Sequence, residues 1–234
     1  MSYSKIKTIA FDADDTLWIN ETYFRETEEK FCKLLSFYDT ENKIDQELFK
    51  VIIRNLPLYG YGSKSFVLSM IESALELSDY SIHPRLIEKI LDLGKEILQH
   101  PIHLLDGVPE VLSELNSRYK LIVATKGDLL EQEQKLHKSG LLQYFHHIEI
   151  MSEKRPQDYQ KLIRHLDIRP EEFLMIGNSL KSDILPCLQI GAMAVHVPFH
   201  TTWIYEEISV HSDWSEKYRT INKLSEVRDL LNGS

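Results

Sequence analysis

Residues 9–17 read IAFDADDTL, an apolar run that stops abruptly at three carboxylates. Short apolar runs of this length are typical of buried strands in a parallel sheet. Asp12 and Asp14 follow the run directly, and the repulsion between two carboxylates at one turn favours a bound cation such as Mg²⁺. Asp15 has a simpler interpretation, because a single aspartate at a strand end commonly forms a turn or caps the next helix. The stretch predicts a strand that ends at a metal-binding site.

Composition predicts an ordinary globular protein, with 43% hydrophobic and 27% charged residues in a chain of 234. This length suffices for one core domain with a smaller inserted one. The formal net charge of −9 argues against nucleic acid or an anionic membrane surface as a partner. No stretch reaches the ~20 apolar residues of a membrane span, so a cytoplasmic location is expected. A small phosphate ester stays compatible, because a bound cation reverses the local potential.

The cysteine and histidine residues do not indicate a metal centre of their own. Cys32 and Cys187 lie far apart without metal-ligand spacing, and we expect both to be buried apolar side chains. The histidine pairs at positions 100 and 103, 146 and 147, and 196 and 200 lack a spacing with other ligands. The acidic residues after the first strand therefore remain the metal-ligand candidates.

Strand and helix patterns alternate along most of the chain. Apolar runs predict strands at residues 7–11, 120–124, 147–150, 173–176 and 192–197. Helical patterns lie between the later runs, at 129–136, 159–166 and 184–190, with Pro186 in a first turn where proline is tolerated. Because parallel strands joined by helices require helices on both faces of the sheet, we expect a three-layer α/β sandwich.

The segment between the first two strands shows only helical periodicity. Four apolar helix faces are expected here, the last of them formed by Leu86, Ile90, Leu91, Ile97 and Leu98. A helical bundle at 17–103 would thus interrupt a core domain made of 1–16 and 104–234. Both junctions lie at the carboxyl end of strand one, where ligands bind in open parallel sheets, so the insertion is placed to act as a lid.

Polar residues also follow the next three strands. Thr125 follows strand two in VATKG, Lys154 follows strand three in EKRP, and the run GNSLKSD at 177–183 follows strand four. Taken alone, Thr125 is as compatible with helix capping and Lys154 is typical of a solvated surface charge. Their succession at strand ends is more specific than any one of them.

In these residues the chain resembles the haloacid dehalogenase superfamily, whose first motif, Asp-x-Asp-x-Thr, is matched by Asp12, Asp14 and Thr16. The later motifs are matched by Thr125, Lys154 and Asp183 in the family's order. The resemblance spans the whole chain and implies a Rossmann-like sheet of order 5-4-1-2-3 with a helical cap between the first two motifs.

Two positions depart from the family pattern. Asn178 stands where the pattern has a first carboxylate, and its amide oxygen can coordinate a metal directly or hydrogen-bond a metal-bound water. Arg155 intervenes between Lys154 and Pro156, so either basic side chain is a candidate for the phosphate contact, with Lys154 favoured. Because Asn178 replaces a carboxylate by a neutral amide, a lower metal affinity is expected.

The resemblance implies a role for each matched residue. Asp12 would be the nucleophile that forms an aspartyl-phosphate, and Asp14 the general acid and base. The remaining roles are substrate binding by Asp14, Thr125, Lys126 and Lys154, and Mg²⁺ binding by Asp12, the backbone carbonyl of Asp14, Asn178 and Asp183. Thr125 and Lys154 also count among the catalytic residues, because they stabilise the charge of the phosphoryl group.

The function expected from this resemblance is that of a magnesium-dependent phosphatase for a small phosphorylated metabolite. Asp14 favours phosphorus chemistry, since dehalogenases of the superfamily lack the second aspartate. A phosphosugar mutase of the same fold and a non-catalytic phosphate-binding module are the alternatives, the latter because of Asn178. The sequence indicates neither the physiological substrate nor the oligomeric state.

Three features remain open to both a functional and a structural interpretation. Trp18 and the aromatic residues after it either face the leaving group or pack at a domain junction. The loop at 58–64, which contains Gly60 and Gly62, either reaches into a cleft or only connects two helices. The segment 196–203 follows the fifth strand and is expected near the rim of the active site.

Overall fold

A parallel β-sheet organises the part of the chain that the computed structural model describes, residues 3–208 and 218–232. Its strands are β1 Thr8–Phe11, β2 Lys120–Lys126, β3 His147–Met151, β4 Phe173–Gly177, β5 Met193–His196 and β6 Arg219–Thr220. Their order is β3-β2-β1-β4-β5-β6. The predicted order of five strands is confirmed. The additional strand β6 escaped prediction because it is a polar pair of residues without an apolar run.

Helices connect these strands, and their bounds agree with the predicted patterns to within a few residues. They are α1 Glu21–Leu35, α2 Glu41–Tyr59, α3 Ser63–Leu77, α4 Pro84–Gln99, α5 Val108–Asn116, α6 Leu129–Ser139, α7 Pro156–His165, α8 Leu185–Gln189 and α9 Val227–Asn232. Pro186 lies in the first turn of α8, as predicted. None of the described helices combines the length and apolar character of a membrane span.

Both faces of the sheet are buried, which explains the continuous apolar runs of its strands. In β1, Ile9 and Phe11 pack on one side with Val111 of α5. Ala10 points to the other side and packs in the cluster that contains Tyr159 of α7. This alternation follows the two-residue period of a strand. The result is the expected Rossmann-like, three-layer arrangement of helix, sheet and helix.

The described residues divide into two compact units. The α/β unit contains the residues up to Glu21, Ile102–Lys126 and the residues from Lys135 onward, and the helical unit contains Thr22–Pro101 and Gly127–Gln134. This division lies a few residues inside the expected limits of 17 and 103. It also assigns the start of α6 to the helical unit, which no sequence pattern indicated.

The helical unit has its own apolar core. Buried residues come from each of its first four helices, among them Phe31, Leu48, Met70 and Ile90. The predicted face of α4 was wrong at Leu91, whose side chain is 41% exposed, whereas Ile87 and Leu93 pack on the core. The reason is helical geometry, because residues three and four positions from Ile90 share its face and the adjacent residue does not.

Of the loop expected at 58–64, only residues 60–62 lie outside α2 and α3, so the connection is tighter than predicted. Gly62 has a φ of +110°, and a Cβ there would lie 3.1 Å from Glu131 and 3.3 Å from Asp128. The carboxylate of Glu131 accepts hydrogen bonds from the backbone N–H and the hydroxyl of Ser63, both at 2.8 Å. A remote side chain thus satisfies the first turn of α3, and Gly62 leaves room for it.

Candidate active site

The sheet brings the predicted motifs to one edge. Phe11 at the end of β1 pairs with Val123 of β2 and with Ile176 of β4, all in parallel orientation. The backbone N–H of Asp12 donates to the Ile176 carbonyl at 2.9 Å, so Asp12 starts at the carboxyl ends of both neighbours. The strand order therefore places the residues that follow β1, β2 and β4 beside one another.

Lys154 lies between two carboxylates at this edge. Its Nζ is 2.5 Å from Asp12 Oδ1 and 2.7 Å from Asp183 Oδ1. The exposed fractions of the three side chains are 1% for Lys154, 9% for Asp12 and 1% for Asp183. Buried charges persist only when they are paired and hydrogen-bonded. The structure thus joins three of the predicted residues into one buried ion cluster.

The charges of this cluster are not balanced. Burial alone lowers the pKa of Lys154, but Asp12 and Asp183 outweigh it and raise the pKa above its ordinary value. Burial raises the pKa of Asp12 to about 7 against the opposing charge of Lys154, and Asp183 adds to the rise. Because the cluster has one more carboxylate than ammonium, it favours a further positive charge.

Asp183 is positioned by the unusual turn that follows β4. Leu180–Ile184 forms a π-helical turn, a geometry that is frequent at functional sites. Asp183 Oδ2 accepts the backbone N–H of Ser179 at 3.0 Å, while Oδ1 contacts Lys154. Gly177 has no room for a Cβ, which would overlap the Asp183 carboxylate. The glycine before the turn is therefore required by the close approach of this side chain.

Asn178 lies near Asp12 through a shared neighbour. The hydroxyl of Thr16 is 3.1 Å from Asp12 Oδ2 and 3.4 Å from Asn178 Oδ1. The backbone carbonyl of Asn178 lies 3.0 Å from Nε2 of His196. Since a carbonyl oxygen only accepts, the His196 nitrogen is the donor in this contact. The Asn178 amide oxygen and the carboxylate of the predicted nucleophile thus lie next to the same Thr16 hydroxyl.

Thr125 and Lys126 end β2 at the same edge of the sheet. Thr125 is buried, and its hydroxyl lies 3.3 Å from the Lys126 carbonyl oxygen. The Lys126 Nζ is 2.7 Å from Glu206 Oε1 and 2.9 Å from the Ser182 hydroxyl. The predicted substrate-binding lysine is therefore held by a carboxylate from the segment after β5.

Glu206 connects that lysine to the turn that holds Asp183. Its Oε2 accepts hydrogen bonds from the hydroxyls of Ser179 and Ser182, both at 2.6 Å. Burial raises the pKa of Glu206, but the charge of Lys126 and the hydrogen bonds outweigh it and lower the pKa to about 2. Glu206 is thus a fixed anion that crosslinks the ends of β2 and β4.

The side chain of Asp14 is engaged separately from the ion cluster. Trp18 Nε1 donates to Asp14 Oδ1 at 2.7 Å, and Lys135 Nζ lies 3.1 Å from the same oxygen. Asp12 and Asp183 thus converge on Lys154, whereas the Asp14 carboxylate contacts Trp18 and Lys135. The side chain of Asp14 therefore does not contact Lys154 in the way that Asp12 and Asp183 do.

Asp15 and Arg155 lie outside the ion cluster. Asp15 accepts the backbone N–H groups of Asn20 and Glu21, at 2.8 and 3.0 Å, directly before α1, so the capping interpretation is confirmed. The Arg155 side chain is 61% exposed, and its guanidinium lies 3.9 Å from Glu153. Of the two adjacent basic residues, it is Lys154 that reaches the buried carboxylates.

Comparison with known proteins agrees with this arrangement. The family model for haloacid dehalogenase-like hydrolases matches residues 6–191. The N-acylneuraminate-9-phosphatase of Mus musculus is 27% identical over 87% of this chain and 84% of its own length. A glyceraldehyde 3-phosphate phosphatase of Methanopyrus kandleri is 22% identical over 82% of this chain and 84% of its own.

A solved structure resembles the chain over nearly its full length. A haloacid dehalogenase-like family hydrolase from Xanthomonas campestris superposes with a TM-score of 0.87 at 38% identity, covering 98% of this chain and 91% of that one. The family model also covers most of the chain, including every predicted motif. This chain therefore belongs to the haloacid dehalogenase-like hydrolases.

Proposed function

We propose that the chain is a magnesium-dependent phosphomonoester hydrolase that transfers the phosphoryl group of a small metabolite to Asp12 and then to water. The observation that carries this proposal is the buried cluster in which Lys154 contacts Asp12 and Asp183. A carboxylate that attacks phosphorus approaches another anion, and a fixed ammonium beside it lowers their repulsion. The cluster supplies both groups at one strand end.

The residues of the cluster suit magnesium. Mg²⁺ takes oxygen ligands, commonly from one or two carboxylates together with water and substrate phosphate. Asp12, Asp183, Asn178 and the backbone carbonyl of Asp14 would hold it. In residues 3–208 and 218–232, no group of three or more Asp, Glu, His or Cys side chains could hold a metal ion alone, so the carbonyl, the amide and the substrate are needed. When bound, the ion would neutralise charge on the phosphoryl group and on Asp12.

In the first half of the reaction, a carboxylate oxygen of Asp12 forms a bond to phosphorus while the bond to the leaving oxygen breaks. Lys154 and the hydroxyl of Thr125 stabilise the phosphoryl oxygens, and Lys126 contributes a further positive charge. Asp14 gives a proton to the leaving oxygen. The products of this half are the free alcohol and an aspartyl-phosphate at position 12.

In the second half, a water molecule attacks the phosphorus of the aspartyl-phosphate. Asp14, now a carboxylate, takes a proton from this water and returns to its acid form. The bond between phosphorus and the Asp12 oxygen breaks, which releases phosphate and restores the nucleophile. One aspartate thus serves both halves as acid and as base, while Lys154 stays charged throughout.

The relatives support phosphorus chemistry with a small substrate. Two of them are named as phosphatases, one for N-acylneuraminate 9-phosphate and one for glyceraldehyde 3-phosphate. The acidic composition of the chain favours such a free metabolite over nucleic acid or a membrane surface. The buried free thiols of Cys32 and Cys187 are compatible with a reducing, cytoplasmic location, which belongs to the same proposal. The proposal also includes a division of the chain into a core domain, 1–16 and 104–234, and a helical cap, 17–103.

The test is phosphate release from p-nitrophenyl phosphate and from a panel of phosphorylated metabolites, with magnesium and with chelator. We expect activity that depends on magnesium and falls by a factor on the order of 10³ or more in Asp12→Asn. Asp229→Asn, an exposed aspartate of α9, is the matched control and should retain activity. Borohydride trapping of an acyl-phosphate at Asp12 would identify the intermediate directly.

Product analysis separates this proposal from its alternatives. A phosphosugar mutase returns the phosphoryl group to the sugar and accumulates no inorganic phosphate. A non-catalytic phosphate-binding module binds phosphate esters and leaves them intact. Asn178 is the reason for considering this hypothesis. Full activity in Asp12→Asn would remove the proposed nucleophile.

A further inference from the structure

The carboxylate of Asp14 is held by two donors that belong to no motif of the sequence. Trp18 donates its indole N–H at 2.7 Å, and the Lys135 ammonium lies 3.1 and 3.3 Å from the two carboxylate oxygens. Lys135 stands 121 residues from Asp14 in the chain, on α6. A charged and a neutral donor from different elements thus converge on one side chain.

Both donors are themselves fixed. The indole of Trp18 is fully buried, and its backbone carbonyl accepts the Asp15 N–H at 2.7 Å. The Lys135 side chain is only 15% exposed, and its Nζ also contacts the Asn20 side-chain oxygen at 2.7 Å. Holding a long lysine side chain in one rotamer has an entropic cost, which exposed lysines avoid. A lysine that served only as a surface charge would not need this fixed position against Asp14.

We propose, on the basis of the proposed function above, that Lys135 and Trp18 are positioning residues that hold the side chain of Asp14 in the orientation from which its carboxylic acid form protonates the leaving oxygen. The terminal torsion of an aspartate is broad, so an unsupported carboxylate samples many orientations. A general acid acts only within hydrogen-bond reach of the atom it protonates, and a displacement of about 1 Å lowers rates by up to 10²-fold. Two donors on one carboxylate remove that freedom.

This role predicts a dependence on the leaving group. When Asp12 attacks, the bond from phosphorus to the leaving oxygen breaks, and the Asp14 proton moves to that oxygen as its O–H bond breaks. An aliphatic alkoxide needs the proton because it is a strong base, whereas p-nitrophenolate is a stable anion and needs it little. Misplacing Asp14 should therefore impair aliphatic phosphate esters more than p-nitrophenyl phosphate.

The experiment measures kcat/KM of the magnesium-loaded enzyme for glycerol phosphate and for p-nitrophenyl phosphate. This parameter reports only the steps up to departure of the leaving group, so the shared hydrolysis of aspartyl-phosphate does not mask the effect. We expect Lys135→Met to lower about tenfold the ratio of kcat/KM for glycerol phosphate to kcat/KM for p-nitrophenyl phosphate. This loss is a part of the 10²–10⁴-fold that acid catalysis contributes. Trp18→Phe should act in the same direction. Asp14→Asn gives the full effect for reference.

Two further lysine variants serve as controls. Lys135→Arg keeps the charge and should restore part of the ratio. Lys138→Met makes the matched change at an exposed position of the same helix and should leave the ratio unchanged. An equal loss on both esters in Lys135→Met, or no loss, overturns the positioning role, because a merely structural lysine does not distinguish leaving groups. A wild-type protein inert toward both esters contradicts the proposed function itself, and this is seen before any variant is made.

A second readout does not depend on activity. The indole N–H of Trp18 gives its own NMR signal, which Trp18→Phe identifies among the three tryptophans. A hydrogen bond to a carboxylate shifts such a signal downfield, so Asp14→Asn and Lys135→Met should move it in the metal-free protein. A signal that neither variant moves would show that the three side chains do not act together, and would overturn the proposal.

Discussion

Thr27 in the helical unit and Lys154 in the α/β unit are both buried polar side chains, and their hydrogen bonds are formed in different ways. In the helical unit, the hydroxyl of Thr27 donates to the Tyr23 carbonyl, four residues earlier on the same helix, at 2.8 Å. In the α/β unit, Lys154 contacts Asp12 across 142 residues of chain. Both patterns meet the requirement that buried polar groups be hydrogen-bonded. They differ in the distance along the chain over which the partner is found, and in charge.

This difference indicates where chemistry takes place. A hydroxyl that bonds to its own helix costs little to bury and places no constraint on the rest of the fold. Burying an ion costs several kcal/mol even after relaxation, and the attraction of its partner often does no more than offset that cost. Charged groups gathered from distant segments therefore contribute little to stability for their cost. Their presence at one sheet edge is expected where they serve a reaction.

The largest effect should follow from breaking the buried ion cluster. Lys154→Met leaves two buried carboxylates without their common cation, and removing one member of such a cluster costs about 3–5 kcal/mol. We also expect kcat/KM to fall by a factor on the order of 10³, because Lys154 offsets the charge of both phosphate and nucleophile. Urea unfolding in chelator and steady-state kinetics would measure the two losses. Unchanged activity in the folded variant would contradict the assigned role.

A smaller loss of activity should result from Gly177→Ala. The added Cβ overlaps the Asp183 carboxylate, which must move away from Lys154. We expect kcat/KM to fall about 10²-fold, as for other displacements on the order of 1 Å at a reacting centre. Gly140→Ala is the comparison: its Cβ meets no atom, but its φ of +70° costs about 1–2 kcal/mol of stability while activity is kept. Equal activities of the two variants would contradict this account.

Glu206 should make stability depend on pH. Because its pKa is lowered from 4.5 in the unfolded chain to about 2 in the folded protein, folding favours the carboxylate. The contribution is complete above about pH 5 and is lost as pH falls through the folded pKa near 2; it is on the order of 2–3 kcal/mol. The free-energy difference between wild type and Glu206→Gln should therefore shrink as pH falls from 5 to 2. A difference independent of pH would exclude this linkage.

The smallest effect should appear in the helical unit. Thr27→Val removes a buried hydroxyl whose partner, the Tyr23 carbonyl, lies within the same helix. Because valine has nearly the same shape, we expect the free energy of unfolding to change by no more than about 0.5 kcal/mol, with unchanged kcat/KM. Thermal unfolding would measure it. A loss comparable with that of Lys154→Met would show that the two buried contacts do not differ in the way described above.

The sequence predicted the fold and the central cluster because both follow from strand ends. Apolar runs located five strands, and parallel strands bring the residues at their carboxyl ends to one edge. The resemblance of the motifs to the haloacid dehalogenase superfamily indicated which residues at that edge matter, because Lys154 taken alone is typical of a surface charge. Leu91 was misplaced because apolar residues are so closely spaced in the middle of α4 that two neighbouring helix faces fit the pattern almost equally well.

Lys135 and Glu206 were not predictable by the same reasoning. Whether a lysine on α6 points to solvent or to Asp14 depends on the rotation of that helix about its axis, which tertiary packing sets. Glu206 follows β5 by ten residues, and the path of the intervening loop has no periodic pattern. Both side chains look like ordinary surface charges in the sequence, and only the assembled fold shows their partners.

The capping of α3 by Glu131 limits how far the helical unit can be treated as a module. A fragment of residues 22–101 would keep four helices but lose this carboxylate, leaving the N–H and hydroxyl of Ser63 without their acceptor. Exchange of helical segments between relatives by gene fusion should therefore transfer 127–134 as well. In chimaeras joined only at the ends of 22–101, the first turn of α3 would lack the Glu131 carboxylate that accepts its hydrogen bonds.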